Sequence, residues 1–203
     1  MEADKVWMLI LAAGLSRRMG RPKQLLPLAG ESMIRHVAGR AVRASAGPVA
    51  VVCAKTQTEV HDQLSDLPVA RIENPNPEAG LSSSLRAGVQ FVMERQGEAA
   101  VILLGDQPGI RPDVIRRVIE THRNGRCSIV QARYMDRPGH PVLFGRRLFP
   151  DLVRLEGDVG AKEVLARHRS DINWVDVPET MPPDIDTPEE YEQAVKSFTD
   201  PKN

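Results

Sequence analysis

The sequence predicts a single α/β domain built on a doubly wound, mostly parallel sheet. Short apolar runs with strand character alternate with segments of helical period along most of the 203 residues. The run Ala100–Leu104 is continuously apolar, which is typical of a strand that helices cover on both faces. Strands that alternate with helices indicate βαβ units with parallel strands. We therefore expect one domain over residues 1–199 and a short tail at residues 200–203.

The regular alternation occupies the first two thirds of the chain. Five runs have strand character: Val6–Ala12, Val49–Cys53, Val69–Ile72, Ala99–Leu104 and Ser128–Tyr134. The apolar residues of three intervening segments fall on one helical face, at 33–42, 85–93 and 114–119. Ligands of such sheets bind beyond the carboxyl ends of the strands. The loops that follow Ala12, Leu104 and Tyr134 are therefore the predicted sites of chemistry.

The alternation weakens after about residue 135. Four shorter elements are predicted there: a strand at Pro141–Phe144, helices at Arg146–Leu155 and Ala161–His168, and a strand at Ile172–Val177. The last helix is predicted to begin with a capping box, in which Thr187 and Glu190 satisfy each other's backbone amides. We interpret residues 1–134 as the nucleotide-binding half and residues 135–199 as the side of a second substrate.

Composition excludes several classes of function. The formal net charge is zero, so the chain lacks the broad basic surface that nucleic acids require. The N-terminus lacks the basic start of a signal peptide, and the apolar segment Val6–Ala13 is too short to cross a bilayer. Cys53 and Cys127 have no metal-type spacing. A cytoplasmic protein with no nucleic-acid or membrane partner is expected.

The most informative segment is the loop that follows the first strand. Gly14 lets the backbone turn and expose amide groups to an anion, and the seven residues from Arg17 to Lys23 include four cations. Arg18 and Lys23 are suited to bind phosphates. The glycine spacing is neither that of a P-loop nor that of a dinucleotide-binding fingerprint. The segment predicts a nucleotide triphosphate site, and the alternative is a solvated basic loop.

Two carboxylates are candidates for a magnesium ion. Asp106 follows the most apolar strand, and Mg²⁺ prefers carboxylate oxygens and substrate phosphates. The alternative for Asp106 is a cap for the helix that begins near Pro112. Asp186 is the candidate second ligand, with Asp184 less favoured in the same turn. The alternative for Asp186 is a turn residue ahead of Thr187.

Two further groups of polar residues are candidates for substrate contacts. Gly80, Ser82 and Ser83 stand at the entry of a helix, where amide groups face an anion or a hydroxyl caps the helix. Candidates for the second substrate lie in turn-rich segments of the less regular half, and structural roles remain open for each of them: His140, Asp158 and Lys162.

In this combination of motifs, the chain resembles the MobA-like nucleotidyltransferases. The N-terminal motif is Leu11-Ala12-Ala13-Gly14-x-Ser16-x-Arg18-Met19-Gly20-x-Pro22-Lys23, followed by Leu25-Leu26-Pro27-Leu28. Further motifs match in order: Gly80–Leu85, Gly105–Pro108, Gly139–Pro141, Gly157–Ala161 and Asp184–Tyr191. Within that family the motifs are similar to those of molybdenum cofactor cytidylyltransferases and of maturation proteins of xanthine dehydrogenase-type enzymes.

The resemblance implies a Rossmann-like nucleotide-diphospho-sugar transferase fold. It implies transfer of CMP from CTP to the terminal phosphate of molybdopterin, with Mg²⁺ as cofactor and pyrophosphate as product. The implied nucleotide-binding residues are Leu11, Ala12, Ala13, Gly14, Arg18, Lys23, Gly80, Ser82, Ser83 and Asp106. Of these, Lys23, Arg18 and Asp106 are implied to be catalytic, and Asp106 and Asp186 to hold the metal. The implied acceptor-binding residues are Gln107, His140, Asp158 and Lys162.

Several alternatives remain open from the sequence. The methyl group of Ala13 leaves less room for a purine, which favours CTP over GTP without deciding between them. Asp136 stands where relatives often have Gly, and Lys162 where many have Arg, so the acceptor is less defined than the donor. A different phosphate acceptor is one alternative. A non-catalytic chaperone that hands the finished cofactor to a molybdoenzyme is another. A nicotinamide oxidoreductase is disfavoured because the dinucleotide fingerprint is missing.

Overall fold

The computed structural model describes residues 5–14 and 22–199. Seven strands form the central sheet: β1 (Val6–Leu11), β4 (Val49–Ala54), β5 (Val69–Asn74), β6 (Ala99–Leu104), β7 (Ile129–Tyr134), β8 (Pro138–Gly145) and β9 (Ile172–Val177). A small antiparallel hairpin, β2 (Pro27–Leu28) and β3 (Glu31–Ser32), stands apart from this sheet.

The main sheet has the order β5-β4-β1-β6-β8-β7-β9. Every pairing in it is parallel except the two made by β8, which runs antiparallel to β6 and β7. From β1 the chain first builds outward through β4 and β5, and then returns to place β6 on the other side of β1. The strand order therefore reverses between β1 and β6, where α/β sheets open a crevice for ligands.

Helices cover both faces of the sheet, which confirms the predicted doubly wound architecture. The helices are α1 (Met33–Ala44), α2 (Thr58–Asp62), α3 (Leu81–Glu94), α4 (Pro112–Gly125), α5 (Phe149–Val153), α6 (Lys162–Arg167) and α7 (Pro188–Thr199). The apolar sides of α1 and α4 pack in one core layer with the strands. Those of α3, α5 and α6 pack in a second layer on the opposite face.

Two of the predicted strands agree with the structure residue for residue. β6 and β9 begin and end at the predicted residues. β8 is longer than predicted because it pairs on both sides, with β6 and with β7. The segment predicted as one helix at Arg146–Leu155 is instead a 3-10 turn at Arg146–Leu148 followed by α5.

The predicted capping box of the last helix is confirmed. The Thr187 amide donates to Glu190 Oε2 at 2.9 Å, and the Glu190 amide donates to Thr187 Oγ1 at 3.3 Å. The Tyr191 hydroxyl on α7 donates to the carbonyl of Pro27 in the small hairpin. α7 thus holds the C-terminal segment against the segment that follows the N-terminal loop. No helix within residues 5–14 and 22–199 is long and apolar enough to cross a membrane.

Candidate active site

The loops that follow β1 and β6 meet at the point where the strand order reverses. The Gly105 amide donates to the Leu11 carbonyl at 2.9 Å. A Cβ atom at Gly105 would lie only 2.9 Å from the Cβ of Ala12, so the close approach of the two loops requires a glycine here. The predicted nucleotide loop and the predicted metal ligand Asp106 are therefore neighbours.

A lysine lies between two of the predicted functional carboxylates. Lys23 Nζ is 2.6 Å from Asp106 Oδ2 and 2.7 Å from Asp186 Oδ1. Lys23 lies in a 3-10 turn, Lys23–Leu25, that follows the N-terminal loop. Asp186 is brought to the site because the Ile185 amide donates to the Asp106 carbonyl at 3.1 Å. The fold thus brings together three side chains that lie 83 and 163 positions apart in the chain.

These contacts also bear on the structural alternatives to metal binding that were considered for the two carboxylates. Arg111 is the N-cap residue of α4, and no side-chain hydrogen bond caps that helix within residues 5–14 and 22–199. Asp106 therefore does not have the capping role that its position also allowed. The Asp186 side chain bonds to Lys23, while its amide donates to Glu190 Oε2 at 2.8 Å. Asp186 thus serves the helix start with its backbone and the cluster with its carboxylate.

The electrostatics of the cluster follow from burial and from the mutual charges. Burial raises the pKa of Asp106, and the charges of Asp184 and Asp186 raise it further, against the lowering effect of Lys23. Burial lowers the pKa of Lys23, but Asp106 and Asp186 more than offset this, so that the net shift is upward. Lys23 is therefore a firmly held cation at neutral pH.

The site fits a divalent cation in one further respect. Asp106 Oδ1 is buried and has no hydrogen-bond partner among the residues that the structure describes. A buried carboxylate oxygen without a donor is costly unless a cation or a donor complements it. No described group of three or more His, Cys, Asp or Glu side chains forms a complete metal site. Mg²⁺ often binds through only one or two carboxylates and takes its other ligands from phosphates and water.

A glutamine that the sequence analysis did not single out shapes the nucleotide loop. Gln24 is 2% exposed, and its Nε2 donates to the carbonyls of Ala12 at 2.8 Å and Gly14 at 3.0 Å. Gln57 Nε2 reaches the same Gly14 carbonyl at 3.2 Å. The available signal was the position of Gln24 directly after Lys23. Arg18 lies outside the described residues, and its role in phosphate binding stays a prediction.

We expect Gln24→Leu to disorder this loop. The substitution removes the Gln24 donor from the Ala12 and Gly14 carbonyls, of which Gly14 keeps its bond from Gln57, and costs about 1–3 kcal/mol of the free energy of unfolding. Nucleotide binding weakens at the same time because the loop backbone loses its support. Urea denaturation and calorimetric titration with CTP measure the two effects. Gln90→Leu, at an exposed position on α3, is the matched control and should change stability by less than about 0.5 kcal/mol. Equal behaviour of the two variants would contradict the role of Gln24.

Three of the predicted acceptor residues, Gln107, His140 and Lys162, are connected by a hydrogen bond or by charge effects that involve Asp184 or His140. Gln107 is buried, and its Nε2 donates to Asp184 Oδ1. His140 is close enough to Asp184 and Lys162 for both charges to act on its imidazole. Burial lowers the pKa of His140 to about 4, with Lys162 lowering it and Asp184 raising it. His140 is therefore neutral at physiological pH, able to donate or accept a hydrogen bond without carrying charge.

This shift predicts a pH dependence of stability. Since the pKa of His140 is about 4 in the folded protein and about 6.5 in the unfolded chain, the unfolded state binds the extra proton first. Stability therefore falls as the pH drops from about 6.5 to about 4. We expect the fall to be smaller by about 1–3 kcal/mol in His140→Gln. Urea denaturation of both proteins across this range measures the difference, and parallel curves would contradict the assignment.

The fourth predicted acceptor residue, Asp158, contacts the start of α3. Asp158 Oδ1 accepts a hydrogen bond from the Leu81 amide at the start of α3, at 3.0 Å. Its neighbours there are the predicted nucleotide residues of α3, since Ser83 Oγ donates to the Gly80 carbonyl and Ser82 Oγ is buried without a partner in the described structure. Contacts of Gly80, Ser82 and Ser83 with nucleotide, and of Asp158 with acceptor, stay predictions.

Comparison with known proteins identifies the family. The model of the MobA-like NTP transferase domain matches residues 8–172, which include most of β1 and the whole of β6. The chain belongs to the MobA-like NTP transferase family. Its membership confirms the resemblance inferred from the motifs and makes the chain a nucleotidyltransferase by family.

Relatives within the MobA-like family align over almost their whole length. Nicotine blue oxidoreductase of Paenarthrobacter nicotinovorans is 28% identical over 189 residues, covering 89% of this chain and 92% of that protein. Purine catabolism protein PucB of Bacillus subtilis is 29% identical over 204 residues, covering 93% and 95%. Molybdenum cofactor cytidylyltransferase of Escherichia coli is 25% identical over 193 residues, covering 95% and 96%. Because these names differ, family membership alone does not identify the acceptor.

Solved structures support the same fold. The homologue of Mycobacterium tuberculosis Rv0371c from Mycobacterium sp. strain JC1 superposes with a TM-score of 0.83 at 31% identity, covering 95% of this chain and 96% of that one. Rv0371c of Mycobacterium tuberculosis H37Rv, in complex with manganese, has a TM-score of 0.76 at 29% identity and covers 95% and 99%. The MobA-like fold thus extends over nearly the whole chain.

Proposed function

We propose that this MobA-like protein is a cytidylyltransferase that transfers CMP from CTP to the terminal phosphate of molybdopterin. The products are molybdopterin cytosine dinucleotide and pyrophosphate. The observation that carries the proposal is the cluster of Lys23, Asp106 and Asp186 beside the loop that follows β1. The name of the Escherichia coli relative supports the choice of CTP and molybdopterin.

A divalent cation is part of the proposal. The Mycobacterium tuberculosis relative is described with manganese, and Asp106 and Asp186 offer carboxylate oxygens at one point of this site. We assign them to Mg²⁺, because both are hard oxygen ligands next to the proposed triphosphate. When bound, the ion offsets the negative charge that develops on the phosphates during transfer. Asp106 and Asp186 would hold the ion, and the Lys23 ammonium, which lies between them, would then bind the phosphates.

The side chains then act by positioning and by charge. Gln24 holds the Ala12 and Gly14 carbonyls, so the loop presents a fixed surface to base and ribose. Lys23, with Arg18, binds the triphosphate. An oxygen of the acceptor's terminal phosphate forms a bond to the α-phosphorus of CTP, the bond from that phosphorus to the bridging oxygen breaks, and pyrophosphate leaves with the electron pair. Little covalent chemistry is required of the protein.

The residues proposed to bind the acceptor offer hydrogen bonds and one positive charge. Neutral His140 and the Gln107–Asp184 pair offer hydrogen bonds to a polar acceptor, and Lys162 offers charge to its phosphate. The Ala13 methyl narrows the space beside the base, which favours cytosine over guanine. These assignments define the acceptor as a molecule with a phosphate and several hydrogen-bonding groups.

A second candidate function comes from a relative. Nicotine blue oxidoreductase is 28% identical to this chain over most of its length, so an oxidoreductase on this fold is a genuine alternative. It predicts turnover of a reduced nicotinamide cofactor and no pyrophosphate. A transferase that uses GTP or another phosphate acceptor would release pyrophosphate with those substrates and not with CTP and molybdopterin. A cofactor chaperone predicts binding of the dinucleotide without pyrophosphate release.

One screen separates these functions. The protein is incubated with Mg²⁺, molybdopterin and each of CTP, GTP, ATP and UTP, and pyrophosphate and product mass are measured. The proposal expects pyrophosphate with CTP and a product heavier than molybdopterin by one CMP unit. Parallel incubations replace molybdopterin by sugar phosphates, or the nucleotide by NADPH. Preference for GTP, for another acceptor or for NADPH oxidation would contradict the proposal.

A further inference from the structure

The start of α3 is held by a loop from the acceptor half of the chain. We call residues 155–160 the cap loop. Arg86 on α3 donates to the Leu155 carbonyl at 2.9 Å, and the Ser82 amide donates to the Gly157 carbonyl at 3.3 Å. The Leu81 amide donates to Asp158 Oδ1 at 3.0 Å. Three hydrogen bonds therefore connect the cap loop with the first two turns of α3.

The two segments also fit each other closely. Gly80 has φ of +86°, and a Cβ there would lie 2.8 Å from the carbonyl carbon and oxygen of Gly157. Gly160 has φ of +55°, and its Cβ would lie 2.8 Å from Leu81 Cδ2. Both positions combine a left-handed backbone with a close approach, which glycine alone accommodates without strain. The cap loop and the start of α3 therefore pack against each other at positions where only glycine fits.

The N-cap position explains why a distant carboxylate is needed. Gly80 is the N-cap residue of α3 and has no side chain to accept a hydrogen bond from the first-turn amides. Asp158 supplies that acceptor from 77 positions away, and its negative charge complements the positive end of the helix. The Ser82 amide donates to the Gly157 carbonyl, and the Ser83 amide donates to the Gly80 carbonyl.

The other side of the same turn is fixed to the sheet. Asn74, at the end of β5, is buried, and its Nδ2 donates to Ser83 Oγ at 2.8 Å and to Ser84 Oγ at 3.0 Å. Further along α3, a Cβ at Gly88 would lie 3.1 Å from Leu9 Cδ1 on β1. The start of α3 therefore stands at the carboxyl edge of the sheet, the edge that also carries the nucleotide loop.

From this arrangement we propose that Asp158 is a positioning residue for the nucleotide half of the site. It caps α3, fixes Gly80, Ser82 and Ser83 in the orientation that receives CTP, and makes no contact with the acceptor. The proposal rests on the proposed function, because it assumes that these residues meet a nucleotide. In the described part of this turn, the Ser82 hydroxyl is a buried polar group without a partner, whereas the amides of Leu81, Ser82 and Ser83 are already bonded.

Two substitutions separate capping from charge. In Asp158→Asn the side-chain oxygen can still accept from the Leu81 amide, but the charge is lost; in Asp158→Ala both are lost. We expect the Kd of CTP with Mg²⁺ to rise about fivefold to tenfold in Asp158→Ala, the size of one lost cap. We expect Asp158→Asn to stay within about twofold of the wild type, since neutral asparagine caps helices well. The acceptor KM should be unchanged in both.

The control removes a carboxylate from the same loop without touching α3. Glu156 is exposed, and Glu156→Ala should leave the Kd of CTP and the acceptor KM unchanged. Hydrogen exchange of the Leu81 amide gives an independent readout of the cap. It should be faster in Asp158→Ala and unchanged in Asp158→Asn.

The outcomes distinguish this inference from the function on which it rests. CTP binding by Asp158→Ala equal to that of the wild type would overturn the inference and leave the function standing. A raised acceptor KM in both variants, with unchanged CTP binding, would make Asp158 an acceptor contact. A wild type that binds no CTP would overturn the proposed function and the inference together. If Asp158→Ala does not fold, a raised acceptor KM in Asp158→Asn overturns the inference, and unchanged values support it.

Discussion

Asp106→Asn should lower the rate of pyrophosphate release about a thousandfold or more while the protein stays folded. The substitution keeps the size of the side chain but removes the charge that is proposed to hold Mg²⁺. Lys23 keeps its second partner, Asp186, at 2.7 Å, so the fold does not lose the whole ion pair. Steady-state pyrophosphate release and urea denaturation measure the two quantities.

The matched control for this prediction is Asp113→Asn. Asp113 lies in the first turn of α4 and pairs with Arg111, outside the candidate site. We expect its turnover to stay within about twofold of the wild type, since surface ion pairs contribute little. Turnover of Asp106→Asn near the wild-type rate would remove Asp106 from the mechanism.

Lys23→Met should destabilise the protein and abolish transfer. It leaves Asp106 and Asp186 without their shared cation, and removing one member of a buried pair is strongly unfavourable. Because Asp186 is partly exposed, we expect a loss of about 1–3 kcal/mol at neutral pH, below the range for fully buried pairs. Triphosphate binding is lost as well.

The loss of stability should depend on pH with a defined sign. Burial raises the pKa of Asp106, and removal of Lys23 raises it further. A carboxyl whose pKa is higher in the folded state contributes stability at low pH, and this is lost as the pH rises through the folded pKa. The difference between the wild type and Lys23→Met is therefore smaller at about pH 4 than at about pH 7.5. Urea denaturation at both values measures it.

Lys55→Met serves as the control for the lysine. Lys55 is exposed, and its substitution should change the free energy of unfolding by less than about 0.5 kcal/mol at either pH. A Lys23→Met protein as stable as this control at neutral pH would show that the cluster contributes nothing to stability.

The sequence predicted which loops lie at the carboxyl ends of strands. The apolar run of β6 indicated a buried strand, so Asp106 was expected beyond its carboxyl end, as the N-terminal loop was expected beyond that of β1. The position of the Lys23 ammonium between Asp106 and Asp186 was not predicted, because it depends on contacts between residues far apart in the chain. Sequence motifs indicate which side chains belong to the site, whereas the fold determines which charged groups contact each other.

Gln24 and Asp158 show two other limits. Gln24 adjoins Lys23 in the 3-10 turn. The turn directs the Lys23 side chain to the carboxylates and the Gln24 side chain to the loop carbonyls, which the order of the two residues in the sequence does not reveal. The contact of Asp158 with the acceptor stays a prediction, and its hydrogen bond from the Leu81 amide was not predicted. The sequence indicates that a glycine precedes α3, but it does not indicate which distant residue accepts the hydrogen bond that a glycine side chain cannot accept.

The most direct test of the account is pyrophosphate release from CTP, measured in the presence of Mg²⁺ with and without molybdopterin, for the wild type and Asp106→Asn side by side. The account predicts release that requires both molybdopterin and Mg²⁺, a product that carries one CMP unit, and almost no release by the variant. Release from CTP that is independent of molybdopterin, or equal release by the two proteins, would contradict it.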